Sequence, residues 1–190
     1  MQQKIKRLFD FFVASSLLWV IWPGLVLLAF LVRLKLGSPI LFRQTRIGLH
    51  EKPFDMIKFR TMTDAADANG QPLPDEMRLT KFGQLLRSTS LDELPELWNI
   101  LTGRMSLVGP RPLLPEYLPF YRGEEALRHT VRPGITGWWQ IKSRAYEESL
   151  AEMQRRLRYD FYYIENLSVK LDIEIIFRTV YTVISGHGQA

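Results

Sequence analysis

The 190-residue sequence has no cysteine. That absence excludes a disulfide framework and a thiolate metal site, and it removes any need for an oxidising compartment. Internal repeats and long low-complexity segments are also missing. The length leaves room for one domain of ordinary size with a single core and none for a second large one. Acidic charge is in deficit: 25 Lys plus Arg stand against 20 Asp plus Glu, a net charge of +5. Such a balance suits an anionic membrane surface, a phosphorylated substrate or a nucleic acid, and does not choose among them.

Charge is absent altogether from Phe11 to Val32, a stretch rich in Leu, Val, Phe and Trp. It is long enough to be a membrane helix, and too long for the apolar region of a cleavable signal; Arg33 and Lys35 follow it instead of a small-residue cleavage site. The cations Lys4, Lys6 and Arg7 precede the run, and Arg33, Lys35, Arg43 and Arg46 follow it. Both flanks therefore prefer the cytoplasmic side. Pro23-Gly24 interrupts the middle, where proline removes a helical hydrogen bond and clashes with the preceding turn. Each half covers roughly 15–18 Å, about half of a ~30 Å hydrocarbon core. The expectation is a re-entrant helix-break-helix over residues 1–36 that enters and leaves on one side. Residues 37–190 would then be a cytoplasmic and interfacial domain forming one unit with the hairpin. A kinked helix that crosses the membrane is the alternative, and it requires a periplasmic C-terminal domain.

Downstream, Ile40 to Phe42 and Phe54 to Met62 read as short strands joined by a turn from Gly48 to Pro53. Lys58 and Arg60 share one face of the second strand, with Ile57 and Phe59 on the other. Thr63 to Glu76 lacks apolar periodicity and reads as a surface loop, followed by a short helix from Arg78 to Arg87. From Glu147 to Asn166 apolar residues recur at helical spacing among Arg155, Arg156 and Arg158. With Tyr159, Tyr162 and Tyr163, this amphipathic helix suits the lipid headgroup level, or the surface of a soluble domain. Leu171 to Ile184 is a further, largely apolar helix containing Asp172. The fold class expected is α/β and mostly helical.

The chemical centre is Ser90-Leu-Asp-Glu-Leu-Pro, which places Asp92 and Glu93 in the first turn of a predicted helix. A purely structural reading exists: Ser90-x-x-Glu93 has the form of a capping box. The cations nearby argue for more. Arg87 lies just before this turn, and Gly109-Pro-Arg-Pro112 fixes Arg111 between two prolines in a segment that cannot be helical. An arginine held in this way suits bidentate phosphate contact, and Lys58 can complete an anion site. A carboxylate beside such a site can ligate Mg²⁺ or attack phosphorus. Val131 to Gln140 is a second Gly- and Pro-punctuated loop with the pair Trp138 and Trp139, readable as a ligand lid, an interfacial anchor or, for at least one tryptophan, core.

Taken together, Lys58-Phe-Arg-Thr-Met62, Ser90-Leu-Asp-Glu-Leu94, Asn99-Ile-Leu-x-Gly103, Met105 to Leu113 and Val131 to Gly137 resemble, in order, the motifs of the bacterial sugar transferases, the small monotopic phosphoglycosyl transferases. The resemblance runs over nearly the whole chain and matches the minimal catalytic core. It implies a reaction in which Asp92 attacks the sugar-side phosphorus of a UDP-sugar, releases UMP and passes the phosphosugar to undecaprenyl phosphate. It implies Glu93 for proton handling and metal placement, and Mg²⁺ as cofactor with Asp92 as its ligand. It also implies Lys58, Arg87, Arg111 and Arg144 as phosphate contacts, and Asp160 and Asp172 as supporting acids. The membrane break falls at Pro23, where this chain has Trp22 in place of the serine many relatives carry. The implied setting is the cytoplasmic face of the bacterial inner membrane, in contact with lipid; N-acetylated donor sugars and a homodimer through membrane-proximal helices accompany that expectation. A membrane-tethered binder without turnover is a competing class. A nucleic-acid-binding protein is another, and the long apolar segment argues against it.

Overall fold

The computed structural model describes residues 2–142 and 150–185. It opens with one long helix, α1 (Gln2–Leu36), which runs through Pro23. One stripe of α1, at three- and four-residue spacing, faces the rest of the protein: Asp10, Ala14, Val32 and Leu36 are buried, and Leu18, Ile21, Leu25 and Leu28 partly so. The opposite face leaves Phe12, Trp19, Val20, Trp22, Val26, Leu27 and Phe30 more than half exposed. By length and composition α1 is the one helix among the described residues able to cross a membrane.

After α1 come an antiparallel hairpin, β1 (Leu41–Ile47) and β2 (Pro53–Phe59), paired from Leu41↔Phe59 to Ile47↔Pro53. The turn between them sets His50 and Glu51 at positive φ. The short helices α2 (Asp75–Arg78), α3 (Lys81–Ser88) and α4 (Glu96–Leu101) follow. Two three-residue strands, β3 (Ser106–Val108) and β4 (Gly134–Thr136), pair in parallel. Then come α5 (Trp138–Lys142), α6 (Leu150–Glu165) and α7 (Val169–Ser185). The mostly helical α/β expectation holds. The hairpin is longer on its first strand and shorter on its second than the apolar pattern suggested. β2 ends at Phe59; the Arg60 N–H still donates to the Ile40 carbonyl, and its guanidinium donates to the carbonyls of Ser38 and Met62.

Two apolar clusters make the core. The larger gathers Phe54, Met56, Ile100, Met105, Val108, Leu171 and Ile175 against Ala14 of α1; the smaller gathers Phe59 and Leu86 against Val32 and Leu36. β2 contributes to both, so the two ends of α1 dock on one body. The N-terminal end adds polar ties. Arg7 donates to the carbonyls of Ile100 and Leu101 at 2.5 and 2.7 Å, and Asp10 accepts from the Leu107 N–H. Lys6 lies 2.6 Å from Asp172, whose other oxygen accepts from the Tyr163 hydroxyl at 2.7 Å.

That last bond corrects one expectation: Tyr163 is buried and tied to α7, because its hydroxyl has two internal acceptors, Asp172 and the carbonyl of Val108. Trp139 is core, and Trp138 stacks on half-exposed Tyr162.

Candidate active site

The site starts with a local reversal. α3 begins at Thr80, whose hydroxyl accepts from the Gly83 N–H at 3.0 Å, and ends at Thr89. A Cβ at Gly83 would overlap the carbonyl of Thr61, so only glycine lets α3 pack directly on that backbone. Arg87, in the last turn of the helix, thereby reaches Thr61 Oγ1 at 3.1 Å. Ser90 then adopts a left-handed conformation, φ 55° and ψ 18°, and turns the chain into a 3₁₀ turn, Leu91–Glu93. The capping box does not form. Ser90 makes no side-chain cap, and the Glu93 carboxylate goes instead to Lys58 Nζ at 2.5 Å. The cation outcompetes a backbone N–H for this carboxylate because charge-assisted hydrogen bonds are about twice as strong.

Lys58 stands near the end of β2 opposite Phe42. Its ammonium is shared by a second carboxylate, Glu96, at 3.2 Å. Glu96 is placed by Asn99, three residues on and on the same face of α4. Asn99 is fully buried and clasps β2 through the Asp55 carbonyl and the Ile57 N–H at 2.7 and 3.1 Å.

Arg111 is brought in by a loop whose carbonyls are almost all captured. Val108 O accepts from Tyr163, Pro110 O from the Gly134 N–H, Arg111 O from Arg128, Pro112 O from Arg46 and Leu113 O from the Ile47 N–H. Glycines permit this closeness: a Cβ at Gly109, Gly134 or Gly137 would strike backbone of the opposite loop. The Arg111 guanidinium lies 3.7 Å from Glu93.

These residues surround a cleft of about 840 Å³. Its walls carry Arg43, Arg46, Lys58, Arg60, Arg78, Arg87 and Arg111 against the carboxylates of Asp64, Asp92 and Glu93. Arg60 is balanced by Asp64. A cationic surplus remains around Asp92, the arrangement expected of a diphosphate site.

The three carboxylates of the 92–96 turn sit in different environments. Burial and the neighbouring Glu93 charge push Asp92 above the ordinary range, partly countered by Lys58 and Arg87. For Glu93 burial pushes upward too, but Arg111 and Lys58 outweigh it and hold the group ionised below its usual value. Burial and the Glu93 charge push Glu96 up to about 7, so it carries a proton for part of the time at neutral pH.

Of the residues singled out by sequence, Lys58, Arg87, Asp92, Glu93 and Arg111 come together in the cleft. Arg144 lies outside the described residues. Asp160 and Asp172 are elsewhere: Asp160 is buried and pairs with Arg128 at 3.0 Å, and Asp172 pairs with Lys6. Pro23 is exposed on α1. The sequence reading passed over Glu96 and Arg128. Glu96 had one available signal, its position three residues before an asparagine on a short helix next to the carboxylate pair; Arg128 had none.

Among the described residues no three or more His, Asp or Glu are grouped to hold a metal by protein ligands alone. Mg²⁺ does not require that, since it is commonly held by one or two carboxylates together with substrate phosphates. Asp92 fits such a role: it faces the cleft, and no side chain among the described residues donates a hydrogen bond to it.

The family profile described as bacterial sugar transferase matches residues 1–186. The chain is 49% identical over 184 residues to the uncharacterized sugar transferase EpsL of Bacillus subtilis, covering 97% of this chain and 89% of that one. It is 44% identical over 182 residues to a UDP-glucose:undecaprenyl-phosphate glucose-1-phosphate transferase of Klebsiella pneumoniae, covering 93% of this chain and 39% of the relative. An N-acetylgalactosaminephosphotransferase of Aeromonas hydrophila, named for undecaprenyl phosphate and UDP-N-acetylgalactosamine, is 35% identical over 193 residues, 97% of this chain and 44% of the relative. The chain thus spans about two-fifths of the length of these two longer relatives and nearly all of the Bacillus one. With the motifs in order and the match running almost end to end, the chain belongs to the bacterial sugar transferase family.

Proposed function

We propose that the protein transfers a sugar phosphate from a UDP-sugar to undecaprenyl phosphate at the cytoplasmic face of the inner membrane, releasing UMP and forming a polyprenyl diphosphate sugar. The observation that carries this reading is Asp92, poorly solvated and set in a cleft whose cations exceed its carboxylates. An Asp92 oxygen attacks the sugar-side phosphorus, the bond to the UMP oxygen breaks, and UMP leaves with its electron pair. The phosphosugar then rests on Asp92 as an acyl phosphate. A phosphate oxygen of the lipid attacks the same phosphorus and returns Asp92 to its carboxylate.

Lys58, Arg87 and Arg111 stabilise the charge developing on the transferred group and on UMP. Glu93, kept ionised, orients Lys58 and Arg111, and Glu96 is positioned to exchange a proton through the shared ammonium. Mg²⁺ bound at Asp92 with the diphosphate oxygens would supply charge neutralisation. The donor sugar we propose is N-acetylated.

The membrane arrangement we propose is re-entrant. A straight helix of 35 residues is about 52 Å long, more than a ~30 Å hydrocarbon core. Both ends of α1 nevertheless pack on one body, through Lys6 and Arg7 at one end and Val32 and Leu36 at the other. In the re-entrant arrangement α1 bends at Pro23, where proline removes a helical hydrogen bond, so that both ends stay with that body on one side of the membrane. Reporter fusions at the two termini are expected on the cytoplasmic side; a periplasmic C-terminal reporter would rule the arrangement out.

The reaction is tested by UMP release from a panel of UDP-sugars, with Mg²⁺ and undecaprenyl phosphate, by detergent-solubilised wild type and Asp92→Asn. Lipid-dependent release by the wild type, reduced at least ~10³-fold in the variant, is expected for a lost nucleophile. Equal release by both proteins would remove Asp92 from that role.

A further inference from the structure

The loop carrying Arg111 has prolines at 110 and 112, neither of which has an N–H to donate, so it cannot be held by an ordinary strand ladder. Its position depends on donors that other elements bring to its carbonyls. The carbonyl of Arg111 itself is held by a side chain from outside the cleft, the guanidinium of Arg128 at 2.9 Å. Arg128 is 7% exposed, lies over the Tyr121 ring at 5.1 Å, and meets Asp160 of α6 at 3.0 Å through the same nitrogen, Nη2.

We propose that Arg128 is a positioning residue for the phosphate clamp: oriented by Asp160, its guanidinium fixes the backbone of Arg111 so that the Arg111 side chain meets the substrate phosphates. The role rests on the transferase reading for its ligand, and it extends the site to two residues that do not line the cleft. It gives Asp160 a purpose that its place outside the cleft lining otherwise denies it. Burial is the larger influence on Asp160, pushing it up to about 6 against the pull of Arg128 and Arg156. It is therefore mostly ionised at neutral pH, as an orienting partner for a guanidinium should be. Lysine cannot replace Arg128, because an ammonium has no flat guanidinium to lie over the Tyr121 ring while its terminal nitrogen reaches the carbonyl and the carboxylate.

A buried Arg–Asp pair could equally be a simple staple of the fold, and the two roles separate in a double-mutant cycle. UDP binding is measured by calorimetry in magnesium-containing buffer on the detergent-solubilised full chain. The proteins are wild type, Arg128→Lys, Arg111→Ala and the double variant. If Arg128 acts through Arg111, Arg128→Lys weakens UDP binding about tenfold alone and less than twofold in the Arg111→Ala background. Equal weakening in both backgrounds would make Arg128 a staple, and unchanged affinity in the single variant would show that Arg111 is placed without it. Thermal denaturation checks folding. Should Arg128→Lys fail to fold, Asp160→Asn, which keeps shape and volume, carries the same cycle with a smaller expected loss of about threefold. Absence of UDP binding by the wild type would overturn the transferase reading and this role with it, whereas binding without coupling would overturn this role alone.

Discussion

The protein buries charge around Lys6 and around Lys58, and the two clusters are built differently. The Lys6 cluster is closed. Its ammonium lies 2.6 Å from Asp172 and 3.7 Å from Asp10, the Tyr163 hydroxyl donates to the other Asp172 oxygen, the Leu107 N–H donates to Asp10, and none of these side chains lines the cleft. The Lys58 cluster is open: its ammonium is divided between Glu93 and Glu96, and further cations line the same cavity. A buried charge set that is satisfied internally joins elements together. A set with surplus charge facing a cavity is arranged for a ligand that completes it.

Breaking the two clusters should therefore have opposite consequences. Lys6→Ala strands Asp10 and Asp172 in the interior and is expected to cost about 3–5 kcal/mol, read from chemical denaturation in detergent. Lys58→Ala is expected to abolish UMP release while costing less stability, below about 2 kcal/mol, because Glu96 already binds a proton near neutrality and can neutralise itself. Equal stability losses in the two variants would erase the distinction.

The pH dependence sharpens the comparison further. Glu96, pushed up to about 7, and Asp160, pushed up to about 6, hold their protons more tightly in the folded protein than in the unfolded chain. Their contribution to stability is therefore greatest below the ordinary carboxylate range and declines as pH rises through those values. Glu96→Gln keeps the shape and removes the ionisation. It should flatten the upper part of that decline, on the order of 2 kcal/mol, in melting temperatures taken from pH 5 to 8. An unchanged slope would assign the decline to other groups. The smallest effect is expected at Ser90, where glycine relieves the left-handed backbone. Ser90→Gly should be neutral or stabilising by up to about 1 kcal/mol in the same melts. A clear loss would mean that the serine side chain has a role in the cleft.

The sequence made the open cluster more legible than the closed one. Lys58, Arg87, Asp92, Glu93 and Arg111 lie in short, Gly- and Pro-marked segments whose chemistry is visible in a few adjacent residues, and they converge as expected. Lys6 and Asp172 are 166 positions apart, and nothing local to either announces the partner. Glu96 was passed over, because its burial follows from the docking of Asn99 onto β2 and not from its own neighbours in sequence. Tyr163 looked interfacial for the same reason, since its internal acceptors come from β3 and α7. Periodicity located α6 and α7, while α2 and α5 begin inside segments read as loops, and the 3₁₀ turn at Leu91–Glu93 arises from tertiary demand for Glu93 at Lys58, which local propensity does not encode.

The Lys6–Asp172 bond also sets an order of events during synthesis. At 5–20 residues per second, the partner of Lys6 is made roughly 8–30 s after Lys6 itself. Through that interval α1 has no α7 to hold it, and through the first part of it no β3 beneath Asp10, so it must first find its place on the strength of its own apolar surface. Docking then closes a structure whose earliest helix has waited for one of its latest, and a nascent chain halted before Asp172 would have a seated helix without a clasp.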